Sequence, residues 1–310
     1  MSAVRVSTFG YFTDISQNLA TAQQQMRRLS RQLATGKRLT RPSDDPVVVG
    51  EIISARADLS AVLNRQKTLQ RAQLLVGPAD GALDGICSAL RSAKDLALTA
   101  GQPGETEATR LSLAAMIRSL RARILDEANI TVKGEYLFAG KLARQQPFAD
   151  GAGGVTYCGD SEGLQVWVAP GRPIEVSIPG DRLFNFPDAG GLRAVPEVDT
   201  DLFALLDQMA AAIEAGDTDT VAALGGDLDR IYGHITGQRG VLGARAQRID
   251  DALESAKDLE VVAREILSDT EDVDMVAALT ELQHQQVAYQ AALAATAKLA
   301  QLPTLFELQW

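Results

Sequence analysis

Two stretches, one near each end of the chain, carry residues that recur at alternating intervals of three and four. The first runs Phe12, Ile15, Leu19, Ala22, Met26, Leu29 and Leu33, with mostly Gln, Arg, Ser, Thr and Asn between them. The second runs Met275, Leu279, Leu282, Gln286, Tyr289, Leu293, Thr296 and Ala300, and Pro303 ends it. A mean period of about 3.5 residues keeps one stripe of a helix on the same side along its whole length, so each end is predicted to be a helix that packs a seam against another helix. That partner is either the other end of the same chain, in a local bundle, or a helix of another subunit. The spacing alone does not choose between them.

The first seam stops at Gly36, which suits the left-handed position just past a helix end, and Pro42 biases Arg41 towards extended backbone. Ser43-Asp44-Asp45-Pro46 then supplies carboxylates for free backbone N–H groups and a proline for the first helical position. The next seam, Ile52, Ala55, Leu59, Val62, Gln66, Leu69, Gln73 and Val76, predicts a long helix that breaks at Gly77-Pro78. A helical face resumes through Leu83, Ile86, Leu90 and Ala97, turns at 101–104, and returns with Leu113, Ile117, Leu120 and Ile124.

From 134 to 197 the pattern changes to short β-prone runs such as Leu164-Gln165-Val166-Trp167-Val168, separated by Gly, Pro and Asp. Helical spacing then returns with Leu202, Leu205, Leu206, Met209 and Ile213, and resumes after Gly216-Asp217. The expected fold class is mainly α with a β-rich insertion, an elongated rod of long helices whose terminal helices form a coiled coil. Its expected parts are an N-terminal coiled-coil segment, 1–42, paired as an inner layer with 271–310. Between them come a first helical rod half, 43–133, a β-rich outer insertion, 134–197, and a second rod half, 198–270. A single stripe does not offset the entropy of ordering either end, so the ends are expected to firm up only on assembly.

Composition narrows the function. The net charge is −10 with an isoelectric point near 4.8, which argues against nucleic acid or an anionic lipid surface as partner. The charge is uneven: residues 1–41 carry seven basic side chains against one acidic, and residues 250–274 carry ten acidic against two basic. These blocks are complementary, although a charge run is often simply a solvated face. No apolar run is long enough to span a membrane, and no cleavable signal is expected. Cys87, on a predicted helix, and Cys158, in a predicted strand, are expected to be free thiols acting as small hydrophobes.

Candidates for catalysis are poor. His234 and His284 have no Cys or His at ligand spacing, and Asp44-Asp45, Asp250-Asp251 and Asp272-Val273-Asp274 are better explained by helix capping and solvation. Gly151-Ala152-Gly153-Gly154 leads into a strand, so a hairpin loop is expected there and not a phosphate cradle. No catalytic, cofactor or metal-binding residue is predicted.

The stretch Leu33-Ala34-Thr35-Gly36-Lys37-Arg38-Leu39-Thr40-Arg41-Pro42-Ser43-Asp44-Asp45-Pro46 resembles the N-terminal signature of the flagellin superfamily, and more closely its hook-filament junction branch. Gly134-Glu135-Tyr136-Leu137-Phe138-Ala139-Gly140 with Pro147-Phe148 resembles that branch's entry into its β domain. Thr280-Glu281-Leu282, Tyr289-Gln290-Ala291-Ala292-Leu293 and Leu305-Phe306 resemble the closing helix and tail. The resemblance implies a structural, non-enzymatic subunit of the extracellular flagellum, exported by the flagellar type III apparatus with an export chaperone. It implies self-assembly as about eleven subunits in a helical ring, flanked by the preceding hook-associated protein and by flagellin. The expected interface is Phe12, Ile15, Leu19, Ala22, Met26, Leu29, Leu33, Met275, Leu279, Leu282, Tyr289 and Leu293, with Gly36, Pro42, Ser43, Asp44, Asp45 and Pro46 as the joint. The alternatives are filament flagellin itself and, from another class, a coiled-coil adaptor or secreted translocator.

Overall fold

The structure, a computed structural model, describes residues 3–39, 45–102, 104–151, 153–169, 171–188 and 190–300, with side chains between residues 13 and 297. Pro42, Ser43, Asp44, the Phe12 side chain and the Leu305-Phe306 tail therefore lie outside the described residues. Helices dominate: α1 (Ala3–Thr35), α2 (Pro46–Ala100), α3 (Glu107–Ala128), the short α4 (Gly180–Leu183), α5 (Leu202–Ala215), α6 (Thr218–Glu271) and α7 (Met275–Ala300). The strands β1 (Thr131–Val132), β2 (Glu135–Tyr136), β3 (Phe148–Gly151), β4 (Gly154–Tyr157), β5 (Gln165–Ala169) and β6 (Arg172–Glu175) pair in order as three separate antiparallel hairpins.

The chain divides into two compact units, one made of Met1–Val62 with Leu259–Trp310 and the other of Leu63–Asp258. Each unit takes residues from both halves of the sequence. The helix ends near 42 and 271, which suggested divisions in the sequence, are therefore not where compactness divides the chain. The first turns of α2 and the last turns of α6 belong with the terminal helices.

In the unit of Leu63–Asp258, α2 and α6 run antiparallel along a ladder of polar pairs. Gln66 Nε2 donates to Ala256 O at 3.0 Å, Gln73 to Asp250 at 2.8 Å, and Lys94 to Asp229 at 2.7 Å. Arg239 bridges Asp80 at 2.8 Å and Asp84 at 2.5 Å. Between the rungs lie buried Leu69, Val76, Leu83, Ile86 and Leu90 of α2, and Leu228, Ile231, Ile235, Leu242 and Ile249 of α6. The predicted break at Gly77-Pro78 does not occur, since α2 continues through Pro78. Proline removes one helical N–H, but Val76, Ala79, Ala82 and Leu83 are buried on either side of it, and that tertiary packing outweighs the local defect.

The β3–β4 hairpin, the end of α4 and α5 meet in an aromatic cluster that the low aromatic content hides. The Phe148 ring lies 5.1 Å from Phe184, 5.2 Å from Tyr157, 5.7 Å from Phe186 and 5.8 Å from Phe203. Asn129, just past α3, ties this centre to the helices: Nδ2 donates to Phe148 O at 3.0 Å and Oδ1 accepts from Phe148 N–H at 3.1 Å. Gly140 is required by geometry, because its φ is +64° and a Cβ there would stand 2.2 Å from Asp160 O. Cys87 is buried on α2, whereas Cys158 follows β4 and is exposed. The expectation that both thiols pack as small hydrophobes thus fails for Cys158, because its position just past the strand edge faces solvent.

Candidate assembly interface

The joint in the terminal unit is built from turn chemistry. Gly36 closes α1 with φ +71°, and its N–H donates to Gln32 O at 2.8 Å. Asp45 opens α2: its Oδ1 accepts from the N–H groups of Val47 at 3.1 Å and Val48 at 3.3 Å, and Pro46 takes the first helical position. Asp274 opens α7 in the same way, accepting from Val276 and Ala277 at 2.9 Å.

The linkers that follow α1 and α6 pair with each other. Arg38 N–H donates to Glu271 O at 2.7 Å, Val273 N–H donates to Gly36 O at 2.9 Å, and Lys37 stands opposite Asp272 in an antiparallel bridge. Gln32, which is buried, donates from Nε2 to Arg38 O at 2.6 Å. The Glu271 side chain is only 6% exposed, lying between the Lys37 ammonium and the Arg56 guanidinium, which reaches its two oxygens at 2.5 and 3.2 Å. Hydrogen bonding from Arg56, then from Lys37, holds the Glu271 carboxyl below the ordinary carboxylate range.

Beyond this bridge α1 and α7 run antiparallel, and Gln23 Nε2 donates to Tyr289 Oη at 2.6 Å. On α1, Ile15, Leu19, Ala22, Met26, Leu29 and Leu33 are each half-buried, while most other side chains from 13 to 31 are exposed. On α7 the covered stripe is Ala278, Leu282, Gln285, Tyr289, Ala292 and Thr296, again spaced by four and three. Of the residues expected from the sequence, Leu282 and Tyr289 lie in this stripe. Met275, Leu279 and Leu293 do not, being 50%, 50% and 44% exposed.

The difference has a physical cause. Helix α7 is apolar on more than one side, so two stripes that share Leu282, Tyr289 and Thr296 and differ by one residue between them, Leu279 or Ala278 and Leu293 or Ala292, both satisfy the heptad spacing. Residue size favours Leu279 and Leu293, whereas the antiparallel contact takes the small Ala278 and Ala292, which permit close approach. The exposed side of α7 carries Met275, Val276, Leu279, Val287 and Leu293, from 44% to 77% exposed. The sequence reading also missed Gln32, Arg56 and Glu271. Glu271 was hidden in an acidic run, and nothing local marks one carboxylate of such a run as buried.

His234 Nε2 lies 2.7 Å from Arg182 O, and His284 is exposed. Among the described residues no group of three or more His, Cys, Asp or Glu side chains is placed to hold a metal ion, and no helix is long and apolar enough to cross a membrane.

An antiparallel pair of terminal helices, closed by a two-linker bridge and joined through continuous helices to a unit bearing β hairpins, defines a flagellin-like subunit. The family model for the bacterial flagellin N-terminal helical region matches residues 6–143, and that for the C-terminal helical region matches 227–306. The chain belongs to the bacterial flagellin family. Within that family it is similar to flagellar hook-associated protein 3 of Escherichia coli (strain K12), 28% identical over 307 residues, covering 93% of this chain and 94% of that protein. It is 29% identical over 220 residues to flagellar hook-associated protein 3 of Salmonella typhimurium (strain LT2), covering 68% and 67%.

Solved structures share the fold. A putative flagellar hook-associated protein from Vibrio parahaemolyticus aligns with a TM-score of 0.63 at 19% identity, covering 74% of this chain and all of that one. Xanthomonas campestris FlgL aligns with a TM-score of 0.61 at 19% identity, covering 69% and 99%.

Proposed function

We propose that this chain is a structural subunit of the bacterial flagellum that joins hook to filament, assembling through its terminal helices. The observation that carries this reading is the double-sided α7. One stripe packs on α1, and a second stripe of Met275, Val276, Leu279, Val287 and Leu293 remains exposed on the same helix. Exposed apolar side chains gathered along one side of a helix suit a contact with further helices. The names borne by the relatives favour the junction over the filament.

On this reading the α1–α7 pair is an inner layer, the hairpins face outward, and about eleven copies form a helical ring. The partners are the preceding hook-associated protein on one side and flagellin on the other. The chain leaves the cell through the flagellar type III apparatus, held by an export chaperone. The test is to delete the gene and to label an epitope-tagged copy in isolated flagella. Expected are hooks without filaments, flagellin lost to the medium, and label confined to a single band at the hook end. Label along the whole filament would mean that the chain is filament flagellin.

A further inference from the structure

The end of α6 carries a second surface that the α1–α7 contact leaves untouched. Leu259, Val262 and Ile266 recur at intervals of three and four and are 44%, 49% and 53% exposed. Glu265 and Asp269 share this side of the helix and are exposed, whereas Glu260 and Leu267 are half-buried and Glu271 is buried on the other side. Within the 3.6-residue period the five residues fall in an arc of about 120°. Neither Glu265 nor Asp269 makes an ion pair among the described residues, while nearby Arg264 is held by Glu260 within the helix at 2.5 Å.

Helix α1 has the complement. Arg27, Arg28 and Arg31 are exposed on the side of α1 away from its half-buried seam, and none makes an ion pair among the described residues. The one basic side chain of residues 13–39 that pairs with the acidic block inside the chain is Lys37, with Glu271. Four residues separate Arg27 from Arg31 and Glu265 from Asp269, which is about 6 Å along each helix axis, so the two pairs match in spacing. Arginine adds a further fit, since its aliphatic stem covers apolar side chains while the guanidinium reaches a carboxylate beyond them.

We infer that the Leu259–Val262–Glu265–Ile266–Asp269 face of α6 is the docking surface for the Arg27–Arg28–Arg31 face of α1 of a second copy of this chain. This rests on the assembly reading above and adds to it which charges meet. Two chains of net charge −10 repel overall, so a contact between copies needs local complementarity of this kind. Because α1 of one copy meets α6 of the next, the contact is heterologous and propagates around a ring or helix. The stems of the arginines cover the apolar stripe, and the carboxylates at 265 and 269 set the register.

The test uses the full chain in flagellated cells lacking the native gene. Two differently tagged copies are made, both with Cys158→Ser, one carrying Arg31→Cys and the other Glu265→Cys. Mild oxidation of isolated flagella is expected to give a disulfide-linked species bearing both tags. Both tags in the flagella without that species would overturn the docking surface and leave the structural role standing. Absence from the flagella of a tagged copy that keeps Arg31 and Glu265 would overturn the structural role and the docking surface with it.

A charge exchange gives the second readout. Arg27→Glu/Arg31→Glu and Glu265→Arg/Asp269→Arg are each expected to lower incorporation about tenfold, and their combination in one chain to restore it to within about twofold. Defects that add without rescue, or no defect from either, would overturn the pairing.

Discussion

Lys37 and Glu271 stand 234 residues apart in the chain and meet as an ion pair where the two linkers cross. Arg56 binds the same carboxylate, so one nearly buried acid holds the end of α1, the start of α2 and the end of α6 together. A folded-state carboxyl held below its ordinary range contributes stability that is complete above that range. The contribution is lost as pH falls through the ordinary range and then through the folded value. Acidification below about pH 4 is therefore expected to loosen the joint, read as faster hydrogen exchange at Arg38 and Val273. Glu271→Gln should lower the stability of the terminal unit by about 1–3 kcal/mol and flatten this pH response.

Leu29 and Leu279 separate the two roles of the terminal helices. Leu29 is half-buried in the α1–α7 contact, whereas Leu279 is half exposed. Leu29→Asp places a carboxylate in the seam and is expected to loosen α1 from α7 by about 1–3 kcal/mol. Leu279→Asp should leave hydrogen exchange of the isolated chain unchanged. Both variants are expected to be exported yet to abolish motility. Normal motility of Leu279→Asp would mean that the exposed stripe is not a contact.

Phe148 is the centre of the hairpin-bearing unit, fully buried and ringed by Phe184, Tyr157, Phe186 and Phe203. Phe148→Ala should lower the stability of that unit by about 3–5 kcal/mol, measured by denaturant unfolding. Exchange in the α1–α7 pair is expected to stay as in the parent chain.

Pro78 interrupts the hydrogen bonds of α2 without ending the helix. Pro78→Ala returns an N–H donor to the helix interior and should raise stability by up to about 3 kcal/mol, seen as a higher Tm. A lower Tm would show that α2 depends on the proline's local geometry.

The terminal unit packs mainly along one stripe of each long helix. Brief proteolysis of the purified chain is expected to remove both ends and leave roughly residues 40 to 270. Resistance of the ends would show that the α1–α7 pair is stable without a partner.

Much of this was legible in the sequence because its causes are local. Gly36 and Asp45 carry backbone chemistry that depends on a few neighbouring residues, and the α1 stripe from Ile15 to Leu33 follows from helical period alone. The break expected at Pro78 was misread because propensity is local while the burial of Val76, Ala79 and Leu83 is not. The aromatic cluster around Phe148 gathers residues from four separate stretches, and no spacing rule links them.

The sequence by itself determined that both chain ends are seamed helices, that Gly36 closes the first helix and Asp45 opens the next, and that the family is that of the flagellins. Only the tertiary structure decided which side of α7 meets α1, which acid of the 250–274 run is buried, and which apolar faces are left uncovered. The period of a helix specifies a stripe only up to a rotation when several sides are apolar. The rotation chosen depends on how closely a partner backbone can approach, and that is a property of the packed pair.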